Sequence, residues 1–334
     1  MKNNFIFLLL LIIFIQPTLA DELKIEASNI SIDKKTKTTI FNGNVIASDP
    51  KNNVFKADFA EYKKDLQLLK SKGKTTILTS EGFLLTGTNI TFDNTNNLIQ
   101  SSDPAVINDL ENNNIYLDAF EYSTNNNLFK SAGNIKVVDS NDNSYNFSQI
   151  YIDEKKREII GTDVKAFLNQ SNFKVNDKNK PRVFSNTVKI NEKQSEFGKS
   201  VFTLCNYRKN DKCPPWSLQA SKMTHDKKSK TIFYDNAVIK IYDLPIFYMP
   251  KLSHPDPSVD RRTGFLPVSL SDTKNLGPGI ELPYYWAFNK NKDFTLSSNL
   301  FSQEHPLFLG EYRHAYKNAN LIVDAGYTEG YKNT

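Results

Sequence analysis

Four histidines, two cysteines and a scatter of carboxylates are the side chains in this sequence that could catalyse a reaction or hold a metal. His225, His254, His305 and His314 are scattered, each among residues typical of turns or strands. None makes the i, i+4 pair or the Cys-x-x-Cys spacing that grips a metal ion. Cys205 and Cys213 are separated by seven residues. No serine sits in a nucleophile elbow, and the string Leu276-Gly277-Pro278-Gly279 reads as a turn, not a phosphate loop. Carboxylates fall mostly in polar tracts, where solvation is the default. No cofactor motif and no metal set emerge, and the expectation is a protein that is not an enzyme. A carboxylate pair assembled across the rungs of a β-helix, in a polysaccharide-acting enzyme, stands as a lesser alternative.

The elements that position these side chains follow a repeat of 30 residues. Segments starting at Leu23, Asn53, Phe83, Asn113 and Asn143 align without a gap. One column reads Ile32, Tyr62, Phe92, Tyr122, Ile152, and two residues before it stand Ile30, Ala60, Ile90, Phe120, Ile150. Further along come Gly43, Gly73, Asp103, Gly133, Asp163 and then Ala47, Ile77, Ile107, Val137, Phe167. Polar tracts at 33–37, 63–67, 93–97, 123–127 and 153–157 separate the apolar runs. A fixed period of this size means one supersecondary unit stacked on itself, because a single unit cannot bury its own apolar face.

Within the third repeat, apolar and polar residues alternate as in half-buried strands, with a turn at Asp93–Asn97. Parity slips between Gly87 and Ile90, which predicts a bulge or bend. Two strands per repeat give about ten strands over the five repeats, with one apolar lumen between the faces of an open, curved, elongated sheet pair. The columns alone fit equally a dry core and a groove that holds a ligand. A sixth, degraded unit at Phe184–Thr203 follows a polar insertion at Asn169–Lys180 and places a boundary near Thr203.

The first 20 residues stand apart: Lys2, an apolar run of 11 residues from Phe5 to Ile15, Pro17, and small Ala20 form a secretory signal. The run is too short to span a bilayer as a helix. The mature chain then begins near Asp21 in an oxidising compartment. A net charge of +5 over 334 residues permits an anionic partner without requiring one. From Ala237 onward the pattern changes to amphipathic segments of roughly ten residues with aromatic ends, the signature of transmembrane β-strands. Tyr284-Tyr285-Trp286 suits a membrane interface. The division expected is a signal peptide at 1–20, a repeat domain at 21–203, a connecting segment with both cysteines at 204–236, and strands of a barrel at 237–334.

Four elements in order carry a family resemblance: Cys205 to Trp216; Pro245-Ile246-Phe247-Tyr248-Met249-Pro250; Asp260-Arg261-Arg262-Thr263-Gly264-Phe265-Leu266; and Pro283-Tyr284-Tyr285-Trp286. This part resembles the LptD (OstA/Imp) family of lipopolysaccharide-assembly outer-membrane proteins. The upstream repeats resemble the OstA-type jellyroll that this family shares with the soluble bridge protein LptA. The fold class expected is thus all-β: an elongated periplasmic β-jellyroll of about 30-residue repeats, then the first strands of a large outer-membrane β-barrel. Family members run much longer, so the chain looks like their N-terminal part.

The resemblance implies a function in transporting lipopolysaccharide and inserting it at the outer membrane. The jellyroll would receive lipid A from an LptA-like bridge at its N-terminal edge, near Leu23–Ile32, and the barrel, around an LptE-like lipoprotein plug, would release it sideways. The lining of the lipid-binding lumen is expected from Phe55, Phe59, Leu85, Ile90, Phe92, Leu117, Phe120, Ile150 and Ile152. Pro245 and Pro250 would weaken a strand ladder at the lateral gate, since proline donates no backbone hydrogen bond. Cys205 and Cys213 are disulfide candidates, either bridging each other or, for Cys205, pairing with a cysteine further along. A soluble bridge protein of the LptA type is the alternative; the segment from Pro245 to Trp286 speaks against it.

Overall fold

The computed structural model describes residues 23–169, 181–205, 214–256, 259 and 261–332. The signal peptide, Cys213 and most of the polar insertion lie outside the described residues. The chain divides into two compact units, Met1–His254 and Pro255–Thr334.

The first unit begins with β1 (Lys24–Glu26), β2 (Asn29–Asp33), β3 (Thr38–Ser48), β4 (Val54–Lys63) and β5 (Leu68–Leu78). Its middle holds six short strands: β6 (Leu84–Thr88), β7 (Thr91–Asp93), β8 (Leu98–Ser101), β9 (Ala105–Asn108), β10 (Asn114–Leu117) and β11 (Phe120–Ser123). Long strands then resume with β12 (Leu128–Val138), β13 (Ser144–Asp153), β14 (Glu158–Phe167), β15 (Arg182–Ile190) and β16 (Gln194–Thr203). Three more follow, β17 (Trp216–Asp226), β18 (Thr231–Ile241) and β19 (Leu244–Pro255).

Each 30-residue repeat is two antiparallel passes, and both turn rows keep its period. Left-handed backbone recurs at Lys37, Gln67, Asn97, Asn127 and Arg157 in one row, and at Asn52, Gly82, Asn112 and Asp142 in the other. In the second row Asp49, Asp109 and Asp139 each accept the backbone N–H of the asparagine four residues on. That asparagine then reaches the next rung: Asn53 Oδ1 accepts Ser80 N–H at 2.9 Å, and Asn143 Oδ1 accepts Asn169 N–H at 2.8 Å.

The expected bend is present, and over three passes it becomes a break. β5 pairs with β6 through residues Lys74–Leu78 and with β7 through Leu68–Lys70. One half-sheet continues β6–β9–β10–β12, the other β7–β8–β11–β12. From β12 to β18 the strands pair consecutively and antiparallel, with a register shift between Ala132 and Ile135 where β12 meets β13 and continuous register thereafter. The ladder does not stop at Thr203: β16 pairs with β17 and β17 with β18. β18 turns into β19 through Tyr242 and Asp243, both left-handed, as a two-residue hairpin requires.

In the second unit β20 (Gly264–Phe265) and β21 (Ser269–Thr273) both pair with β22 (Gly277–Asn289). β23 (Lys292–Phe301), β24 (Leu307–Ala315) and β25 (Asn320–Tyr327) extend the antiparallel order. The fold is all-β, as the periodicity predicts. Among the described residues no helix is long and apolar enough to cross a membrane.

Candidate functional site: an apolar interior and a polar seam

One apolar core runs through the first unit from Phe41 on β3 to Ala237 on β18, joined at its far end by the partly buried Met249 and Leu252 of β19. Of the nine residues expected to line the lumen, Phe55, Leu85, Ile90, Phe92, Leu117, Phe120, Ile150 and Ile152 are all buried. Phe59 is not among them. The register shift between Ala57 and Phe59 reverses the parity of β4, so Ala57 and Ala60 face in while Phe59 turns out. There the Lys72 ammonium lies 5.2 Å from its ring centroid. On β14, which keeps one register with both β13 and β15, Val164 and Ala166 are buried and Phe167 is exposed. Ile30 and Ile32, first members of their columns, lie on β2 and are 57% and 69% exposed, so the stack begins with an apolar edge.

The sequence reading missed much of the interior. Leu69, Ile99 and Phe129 form a 30-residue column of their own on the second strand of each repeat, and all three are buried. Phe129 stacks on Tyr122, with ring centroids 4.1 Å apart. The buried side chains pack against one another there, Phe120 and Phe129 with ring centroids 6.4 Å apart.

Where the two turn rows meet, the seam is polar. Glu154 is 2% exposed and accepts hydrogen bonds from Thr79 Oγ1 and Tyr122 Oη, each at 2.7 Å. Asn127 donates to Ser80 Oγ at 3.2 Å, and Lys51 donates to Asn97 and Asn125. Apart from Tyr122–Glu154, each contact joins a turn of one row to a turn of the other, 46 to 75 residues apart in sequence. Burial pushes the Glu154 carboxyl above its usual range, against the lowering effect of the Tyr122, Thr79 and Asn127 hydrogen bonds. Desolvation, with the neighbouring Glu154 charge, raises the Tyr122 phenol further still.

The prolines expected at a gate, Pro245 and Pro250, are exposed on β19, whose residues up to His254 belong to the first unit. Tyr248 Oη donates to Asn236 Oδ1 at 2.9 Å and Lys251 to Asp235 at 2.7 Å, tying β19 to β18. Cys205 is half-buried, its Sγ 3.8 Å from the Trp216 carbonyl, with no disulfide partner among the described residues. The histidines stay apart: His254 Nε2 lies 3.0 Å from Tyr234 Oη and His305 pairs with Glu329. Among the described residues no three potential ligands gather to hold a metal.

The second unit has little core. Among the described residues Gly277, Pro283, Tyr285 and Asp293 are its buried ones, while Phe265, Leu270, Phe288, Ile322 and Tyr327 are exposed. Asp293 holds two arginines, Arg313 at 2.6 Å and Arg261, and Arg261 also donates to the Lys290 carbonyl. Thr263 Oγ1 accepts Ala287 N–H, so the Arg-Arg-Thr-Gly element is stitched to the β22–β23 hairpin. Phe265, Tyr284, Trp286 and Phe294 form a ladder of rings with centroids 4.4–5.5 Å apart.

No family model matches the chain. Its curated relatives are nevertheless consistent in name. The LPS-assembly protein LptD of Nitrosococcus oceani is 32% identical over 123 residues, 36% of this chain and 16% of the relative. That of Psychrobacter cryohalolentis is 30% identical over 132 residues, 38% of this chain and 12% of the relative. The chain is similar to the N-terminal region of the LptD proteins. A longer match, to the LptD of Idiomarina loihiensis, is 23% identical over 208 residues and covers 56% of this chain. The matched parts span only 16%, 12% and 27% of these three LptD chains. Among solved structures, LptH, the LptA-homologous periplasmic component of the lipopolysaccharide transport device from Pseudomonas aeruginosa, is 12% identical. It covers 42% of this chain and 82% of its own at a TM-score of 0.20, too low to argue from.

Proposed function

We propose that the chain takes part in transporting lipopolysaccharide and inserting it at the outer membrane, and that it performs no catalytic step. The first unit is read as a periplasmic slide. Exposed to water, an acyl chain costs about 0.8 kcal/mol per CH₂, and an apolar interior continuous from rung to rung offsets that cost along the whole path. The observation that carries this reading is that continuity, in a chain similar to the LPS-assembly proteins: buried apolar residues occur on every pass from β3 to β18. Because the interior is packed, lipid must displace side chains or part the seam as it enters.

The remaining roles extend the same reading. An LptA-like bridge adds to the edge of β1 and β2, where Ile30 and Ile32 are exposed. The second unit, with apolar side chains outward and few buried, belongs to an outer-membrane β-barrel that takes an LptE-like plug. Pro245 and Pro250 make β19 a weak seam for lateral release, since neither donates to a ladder. Cys205 is held for a disulfide with a partner outside the described residues, Cys213 or another.

A photo-crosslinking residue at Phe92 or Phe120 tests the slide in cells. Ultraviolet light is expected to yield an adduct that reacts with antibody to lipopolysaccharide, while the same residue at outward-facing Phe59 yields none. Equal labelling at all three positions, or none at the inner two, would sink the reading.

A further inference from the structure

The first unit has a wide opening at its bend. The backbone ladder is interrupted between Thr88 and Thr91, between Ser101 and Ala105, and between Leu117 and Phe120, while β5 and β12 run through on either side. A cavity of about 770 Å³ lies over this break, in the size range of small-molecule sites. Its floor includes Ala105, Leu117, Ile135 and Phe147, four residues of the apolar core. The core therefore lies directly beneath the opening, these four residues being at most 5% exposed.

The rim carries Lys74, Lys136 and Lys165, all exposed. Elsewhere in the first unit Lys72, Lys130, Lys189 and Lys222 each pair with a glutamate. The three rim lysines make no ion pair or hydrogen bond to a described residue. Two carboxylates share the rim, Asp118 and Asp163, and Asp118 is taken up by the backbone and side-chain nitrogens of Asn134 at 3.3 and 3.1 Å. Lys136 and Lys165 both register with Asn146, one on each side, which sets them about 10 Å apart across two strand spacings. Three lysines against two carboxylates leave the rim net positive beside an apolar floor, which suits an anionic head on an alkyl chain.

We infer that the bend is a lateral binding site for an anionic amphiphile, its chain entering between Leu117, Ile135 and Phe147 and its head held by Lys136 and Lys165. The inference rests on the transport reading for the identity of the amphiphile, and assigns it a side entry into the interior in addition to any path along the stack. Lys74, on the far side of the opening, receives a second anionic group when the ligand carries one.

The test uses the full chain in cells, with a photo-crosslinking residue at Tyr116 on the rim or at Phe92 inside. Lipopolysaccharide adducts are expected at both. The double variant Lys136→Glu, Lys165→Glu is expected to lower the Tyr116 adduct about fivefold, as the loss of two exposed charge contacts would. The Phe92 adduct stays, and Lys136→Arg, Lys165→Arg restores the Tyr116 signal. If the glutamate variant does not accumulate, the glutamine pair serves in its place. An adduct at Phe92 but none at Tyr116, or one at Tyr116 indifferent to charge, overturns the lateral site and leaves the slide standing. Absence of adducts at both positions overturns both.

Discussion

Replacing Glu154 by alanine is expected to open the seam between the turn rows. The carboxylate accepts from two buried hydroxyls, Thr79 and Tyr122, each at 2.7 Å. Without it, Thr79 keeps only the bond it accepts from Phe83 N–H, and Tyr122 only the one it accepts from Asn127 at 3.4 Å. Two buried donors are left unmade at about 1–3 kcal/mol each, offset in part by removal of a desolvated carboxylate, for a net loss of about 2–3 kcal/mol. For a unit of this size that lowers the melting temperature by about 4–12 °C. The pH dependence separates this cause from a simple cavity. The folded-state pKa of Glu154 is raised above the ordinary 4.5, chiefly by burial. Its contribution to stability is therefore complete below the unfolded pKa and is lost as pH rises through the folded value. Glu154→Gln removes that titration while keeping the shape. The stability of the native protein relative to the glutamine variant is expected to be greatest near pH 4 and to shrink as pH rises, followed by thermal melts across the range. A difference that is flat or grows with pH, or an alanine variant within about 0.5 kcal/mol of the native protein, would refute the reasoning.

Three further outcomes are expected. Phe129→Ala, which empties the stack against Tyr122, should cost about 3–5 kcal/mol in denaturant melts, whereas Phe59→Ala, outside the core, should cost less than about 1 kcal/mol. Asp293→Ala removes the buried carboxylate shared by the part-exposed Arg261 and Arg313 and should destabilise the second unit by about 1–2 kcal/mol, visible as protease cleavage near Arg261. Changing Pro245 and Pro250 together to alanine should tighten the seam at β19 and weaken the outer-membrane barrier; unaltered sensitivity to detergent and antibiotics would remove the gate assignment.

Much of the stack was legible because a repeat writes the same constraint several times. Ile90, Phe120 and Ile150 occupy one column and face one interior, and the slip between Gly87 and Ile90 falls where the strands bend. Phe59 shows the limit. Two residues of β5, Gly73 and Lys74, stand opposite Asp58 alone, and alternation along β4 cannot say on which side of an aromatic such a bulge falls. Glu154 had no signal, since it stands in a polar tract beside Asp153, Lys155 and Lys156, and only the meeting of distant turns buries it. The expected boundary at Thr203 follows the fading of the apolar columns, yet hydrogen bonding between strands needs no repeat and carries on through β17 and β18.

The asparagines that accept a backbone N–H from the following rung, Asn53 from Ser80 and Asn143 from Asn169, have an evolutionary consequence. Each turn fixes the height at which the next begins, so the stack grows by whole steps. Gaining or losing one residue inside a pass flips a face from oil to water. Duplicating a complete pair of passes changes nothing but length. A lineage whose envelope widened could lengthen such a chain by tandem gene duplication in multiples of 30 codons, and every copy would arrive already in register.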